Sequence, residues 1–91
     1  METYPIDTTE ELGRLIRAVR IQAGLTQADA AGLCGVSAPC LNGMERGKPT
    51  ARIERIFAVC RGLGIEICLD LPAPISELKR LPARKPRRRR P

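Results

Sequence analysis

Residues 25–47 read LTQADAAGLCGVSAPCLNGMERG, and the parsing of this stretch decides the fold. Thr26 followed three residues later by Asp29 is a helix-start signature, with Asp29 a shorter stand-in for the usual Glu. It predicts a short helix over 27–34 that turns Ala30, Leu33 and Cys34 inward. Gly35 supplies a sharp exit that a residue with a Cβ resists. Ser37 then caps a further helix, and Val36 and Leu41 stand at the positions of a hydrophobic staple. Pro39 falls in the first turn, where its missing N–H costs little. Leu41 and Met44 face the core, and Gly47 ends the helix. The stretch is two short helices around a Gly-Val-Ser corner.

Working outward toward the N-terminus, Thr8 and Glu11 form a capping box. Leu12, Leu15, Ile16 and Val19 then recur at i, i+3, i+4 and i+7. They predict a helix over roughly 9–23, with Gly24 as its stop and Arg14, Arg17 and Arg20 away from the apolar stripe. Those arginines are expected in solvent, one of them pairing with an acid or a partner. Toward the C-terminus, Thr50 is read as the cap of a fourth helix with Ile53, Ile56, Phe57 and Cys60 inward, broken by Gly62 and Gly64.

The period then changes. IEICLDL at 65–71 alternates, with Ile65, Ile67, Leu69 and Leu71 on one face and Glu66, Cys68 and Asp70 on the other, which predicts a half-buried strand. A lone strand leaves its N–H and C=O groups without partners. The chain offers no second strand of like quality, since ETYPI at 2–6 is short and holds a proline. A second copy across a two-fold axis is the economical partner. Ile65, Ile67, Cys68, Leu69 and Leu71 are therefore the expected dimer interface. The organisation is an N-terminal segment 1–8, one domain 9–71 and a tail 72–91.

The chain has 91 residues, enough for one small domain. With Tyr4 and Phe57 the only aromatics, the core must come from Leu, Ile, Val and Ala, which suits helices. The formal charge of +6 is unevenly spread. Residues 73–91 carry eight of the sixteen basic side chains and one of the ten acids, so residues 1–72 are close to neutral. The segment PAPISELKRLPARKPRRRRP holds five of the eight prolines and reads as a disordered basic tail. It is open to three readings: a solubilising end, an arm along DNA phosphates or in the minor groove, or a hook for an acidic partner.

Cys34, Cys40, Cys60 and Cys68 form no C-x-x-C pair and the chain has no histidine. No metal site, disulfide framework or cofactor is expected, and the thiols read as small apolar residues. No catalytic residue is expected either, because no nucleophile–base pairing and no phosphate-binding glycine loop are in view. The acidic N-terminus lacks the character of a signal peptide and no apolar run approaches a membrane span, so a cytoplasmic protein without membrane contact is expected.

Two helices at a glycine corner suit DNA when particular groups stand at particular places. The first offers its N-terminal amides to a backbone phosphate, with the Gln27 side chain placed to add a contact. The second lies in the major groove with its leading residues toward the bases. The candidate DNA-binding residues are Gln27, Ser37, Ala38, Pro39, Cys40, Asn42, Arg46, Lys48 and Arg52. Ser37 is a cap first, with a phosphate or base bond as a second role. Arg46, Lys48 and Arg52 are candidate phosphate clamps, against the plainer reading of a solvated face. Glu45 is expected to accept bonds within the fold. Cys40 also raises an oxidant-sensing alternative.

These residues resemble the helix-turn-helix of the lambda-repressor-like (XRE) family. The pattern is met at Leu25, Thr26, Gln27, Ala31, Gly35, Val36, Ser37, Leu41, Glu45, Gly47 and Lys48, and the likeness extends over about residues 9–63. ELGRLIRAVRIQAGLTQ, ERGKPTARIERIFAVCRGLGI and the single strand IEICLDL resemble the HipB-type antitoxins of that family. The resemblance implies a mainly α, lambda-repressor-like bundle of four helices, whose C-terminal strand pairs across a homodimer. It further implies a repressor of an inverted-repeat operator in double-stranded DNA, the antitoxin of a type II toxin–antitoxin pair that also binds a HipA-like kinase toxin. The alternatives are a stand-alone regulator of the same fold without a toxin, and a protein-interaction module that has lost DNA binding.

The chain departs from the family at its reading edge. Ala38, Pro39 and Cys40 replace the usual polar residues, so the Arg–guanine and Asn/Gln–adenine pairings are unavailable there. They offer apolar surface to a thymine methyl. Asn42 is the one amide on the third helix, able to reach a base edge or a phosphate. Gly43 beside it either allows close approach or simply weakens the helix. Modest direct specificity is expected, supplemented by DNA shape and dimer spacing.

Overall fold

The computed structural model describes residues 2–78. Four helices follow in order: α1 (Thr9–Gln22), α2 (Gln27–Cys34), α3 (Ala38–Glu45) and α4 (Ile53–Leu63). Among the described residues the only other regular element is a 3-10 turn, Ile75–Glu77. The basic run expected in the tail lies outside the described residues, and its proline-rich approach holds that turn.

The caps set the helix starts. Thr8, Thr26 and Ser37 each accept a bond from the backbone N–H three residues on, at 3.1 Å in every case. Glu11 reaches back to the Asp7 N–H at 3.0 Å, so α1 carries a variant of the capping box. Gly35 ends α2 in the left-handed region at φ 73, the corner that the sequence requires.

α1 packs on α3, α2 on both α3 and α4, and α1 also touches α4. The core is Ile16, Ala30, Ala31, Cys34, Leu41, Met44 and Val59, closed by partly buried Leu12, Leu25, Val36, Ile56, Leu63 and Ile65. Two close crossings define it. A Cβ on Gly13 would overlap the Met44 carbonyl oxygen and come within 2.8 Å of that of Glu45. A Cβ on Gly62 would lie 2.5 Å from the Cys34 Sγ. Helix backbones thus approach where side chains are smallest. Burial pushes the Cys34 and Cys60 thiols up, as fits their packing role.

Several expectations are corrected. Leu33 is 62% exposed rather than inward, because the narrow gap between α2 and its neighbours is filled by Ala30, Ala31 and Cys34. Arg20 is buried, one turn beyond Ile16 on the inward face of α1. Thr50 does not cap α4: the chain first makes a turn (Lys48 N–H to Gly43, Ala51 N–H to Lys48), and the helix starts after Arg52 with no side-chain cap. The inward stripe of α4 is therefore Ile56, Val59, Cys60 and Leu63, and Ile53 and Phe57 are 67% and 41% exposed. The expected pairing of segment 65–71 needs a second copy, and within the single chain the segment makes no ladder. Ile65 is tied to Cys60 by a 2.8 Å backbone bond, while Ile67, Leu69 and Leu71 face solvent.

Candidate nucleic-acid interface

The α2–α3 corner is held from behind by a polar network. The Arg20 Nε donates to Glu45 Oε2 at 2.6 Å and its Nη2 to Oε1 at 2.9 Å, while its Nη1 donates to the Leu25 carbonyl oxygen at 2.9 Å. One guanidinium thus joins α1, the entry to α2 and the end of α3. Both side chains are nearly closed to solvent. The fork geometry provides two parallel charge-assisted bonds. Burial alone would raise the Glu45 carboxyl, but the bonds from Arg20 and Gln27 outweigh it and hold it below its ordinary value. The bond to Glu45 raises the guanidinium in turn.

Gln27, the first residue of α2, continues the network outward. Its Nε2 donates to Glu45 Oε1 at 3.1 Å and to Asn42 Oδ1 at 3.2 Å. Both hydrogens of that amide are thus committed inside the protein. The side-chain NH2 offered to a phosphate on sequence grounds is occupied within the fold.

On α3 the expected edge divides. Pro39 is exposed, whereas Ala38 and Cys40 are half-buried and pack against the core. Ser37 is exposed and caps the helix. Asn42 sits half-buried beside α2. Arg46 and Lys48 are exposed at the far end of α3. The stem of Lys48 runs over Gly43, where a Cβ would lie 3.4 Å from its Cδ, so the glycine gives the lysine a bed. Arg52 precedes α4 and pairs with Glu54 at 3.6 Å with both side chains open to water, a contact of little weight. Ser37, Pro39, Arg46, Lys48 and Arg52 are thus all open to solvent. Gly47 fastens the exit: Thr9 Oγ1 donates to its carbonyl oxygen at 2.8 Å, and a Cβ there would lie 2.7 Å from the Glu10 Cα.

Sequence reasoning expected Glu45 to accept bonds within the fold and one arginine of α1 to pair with an acid, but it missed that Arg20 is buried and that Gln27 and Asn42 extend the chain. The signal was present: Arg20 follows Ile16 by four residues, and Glu45 adjoins the inward Leu41 and Met44, so both charges stand at inward positions of amphipathic helices.

Among the described residues no group of side chains could hold a metal ion, and no helix is long and apolar enough to cross a membrane.

The family model for helix-turn-helix domains matches residues 11–69. An HTH-type transcriptional regulator y4mF of Sinorhizobium fredii (strain NBRC 101917 / NGR234), itself uncharacterised, is 39% identical over 69 residues, covering 76% of this chain and 88% of that protein. Among solved structures, a HipA-HipB-O2-O3 complex contains a chain that superposes with TM-score 0.70 at 20% identity, covering 78% of this chain and all of that one. The restriction-modification controller protein C.AhdI of Aeromonas hydrophila superposes with TM-score 0.58 at 29% identity, covering 64% and 84%. Matches of this kind join regulators, not enzymes. With the capped corner, the four-helix order and the motif residues in place, the chain belongs to the lambda-repressor-like (XRE-type) family of helix-turn-helix DNA-binding regulators.

Proposed function

We propose that the protein is a transcriptional repressor that binds an inverted-repeat operator as a homodimer and serves as the antitoxin of a type II pair with a HipA-like kinase. The observation that carries DNA binding is the α2–α3 corner braced by the Arg20–Glu45–Gln27 network, with Ser37, Pro39, Arg46 and Lys48 on the outside. Here Ser37, Pro39, Asn42 and the edges of Ala38 and Cys40 face the groove, the amides at Gln27 meet a phosphate, and Arg46, Lys48 and Arg52 clamp the backbone. The homodimer is supported by the uncovered apolar row Ile67, Leu69 and Leu71. In the dimer these residues, with Ile65 and Cys68, pair with their equivalents, and Ile53 and Phe57 add apolar surface nearby in sequence. The kinase partner rests on the shared fold with a chain solved in a HipA-HipB complex.

The test is fluorescence anisotropy with the DNA upstream of the chain's own gene, at physiological salt, with and without the adjacent gene product. Tight binding strengthened by a neighbouring kinase supports the antitoxin. Tight binding with no such neighbour supports the stand-alone regulator. The partial burial of Ala38 and Cys40 favours one other reading, a protein-interaction module, which saturable operator binding excludes.

A further inference from the structure

Asn42 is the single amide on α3, and the network fixes what it shows to the outside. The chain of reasoning starts at Glu45. Its ionised carboxylate, gripped by Arg20, can only accept hydrogen bonds, so the Gln27 amide must turn its NH2 toward it, as the 3.1 Å contact records. The second hydrogen of the same nitrogen then points at Asn42, which answers with its oxygen at 3.2 Å. With Oδ1 turned toward Gln27, the polar group of Asn42 directed away from it is its NH2. That nitrogen has no partner among the described residues, and none of their buried side-chain nitrogens is left unpaired, so it reaches solvent. The charge of a buried carboxylate thereby sets the polarity of a half-buried amide two hydrogen bonds away.

We infer that Asn42 reads the major groove as a donor only, selecting a base whose edge presents acceptors without an exocyclic amine, guanine or thymine, over adenine and cytosine. An unconstrained asparagine pairs with adenine by giving one bond to N7 and taking one from N6. Here the carbonyl oxygen faces Gln27 rather than the groove, so adenine keeps only the N7 bond while its exocyclic amine, like that of cytosine, goes unanswered. Guanine N7 and O6, or thymine O4, meet it without conflict. Gln27 is on this account a positioning residue for specificity. The inference rests on the proposed DNA binding and adds the polarity of one contact to it.

The experiment is competition binding of the full chain on its operator, with every half-site position changed in turn to each of the four bases. For the parent, one position should prefer guanine or thymine by about fivefold, the worth of one hydrogen bond. Asn42→Ala should flatten that position alone. Asn42→Asp keeps the oxygen toward Gln27 and presents a second acceptor outward, so the preference should swing to adenine or cytosine, with weaker binding overall. Gln27→Ala frees the amide to rotate and should admit adenine at the same position, an effect that loss of stability alone would not produce. An adenine preference in the parent would overturn the inferred polarity. A uniform loss across all sequences on Asn42→Ala would assign the amide to a phosphate and overturn the inference equally. If the parent binds no DNA at low salt, the regulator reading fails first, a result distinct from either.

Discussion

Arg20 and Glu45, 25 residues apart, meet through a 2.6 Å ion pair that ties the end of α1 to the end of α3 beneath the candidate interface. Removing one partner leaves a buried charge without compensation. Arg20→Met and Glu45→Leu are each expected to lower stability by about 3–5 kcal/mol. The double replacement should recover much of that loss, since no charge remains buried. Urea denaturation followed by circular dichroism measures all three. Additive losses would show that the two side chains do not act as a pair.

The same pair gives the stability a pH dependence of known sign. The folded Glu45 carboxyl is held below its ordinary value, so its contribution is complete above the unfolded value of about 4.3 and disappears as pH falls through the folded one. Stability should be flat near neutrality with respect to this group and should decline in acid. Glu45→Gln should lower the plateau and make the acid decline shallower, which melting temperatures between pH 7 and pH 3 would reveal.

Two glycines in helices should respond oppositely to alanine. Gly13 faces carbonyl oxygens of α3 and has no room for a methyl. Gly13→Ala should destabilise by about 1–3 kcal/mol or more through forced separation of α1 and α3. Gly32, in α2, has nothing within 4 Å of its would-be Cβ, and Gly32→Ala should stabilise by about 0.5–1 kcal/mol. Thermal melts of the two variants against the parent decide the matter.

Lys48 is expected to act on DNA without regard to sequence. Lys48→Ala should weaken binding to operator and random DNA alike and reduce the slope of log K against log salt by about 1. An unchanged slope would remove Lys48 from the phosphate contacts.

Leu69 is 80% exposed in the single chain, so a charge there does not disturb the core. Leu69→Glu should leave the helical spectrum intact while shifting the mass in solution from dimer to monomer, read by light scattering after size exclusion. Operator affinity should fall with it, because two half-sites are no longer joined.

The helix starts at Thr8, Thr26 and Ser37 were legible because caps are local chemistry, decided within four residues. The corner at Gly35 was legible for the same reason. The start of α4 was not. IERIFAVCRGL contains two overlapping stripes of the same period, one through Ile53, Ile56, Phe57 and Cys60 and one through Ile56, Val59, Cys60 and Leu63. The choice depends on where the preceding turn delivers the chain. Leu33 was misread because hydrophobicity suggested burial where the helix spacing admits only small side chains. Of the candidate site, the capping role of Ser37 and the accepting role of Glu45 within the fold were legible, but the commitment of the Gln27 amide to Glu45 and Asn42 was not. That bond depends on a carboxylate and a guanidinium brought together from different helices.

The missing side chain at Gly13 has an outcome beyond stability. With its backbone laid against the last turn of α3, the first helix serves as a splint, and the two cannot swivel independently. A relative that keeps this contact must retarget to a new operator by exchanging side chains along a rod held at constant tilt. One that loses it gains a second route, re-angling the rod itself.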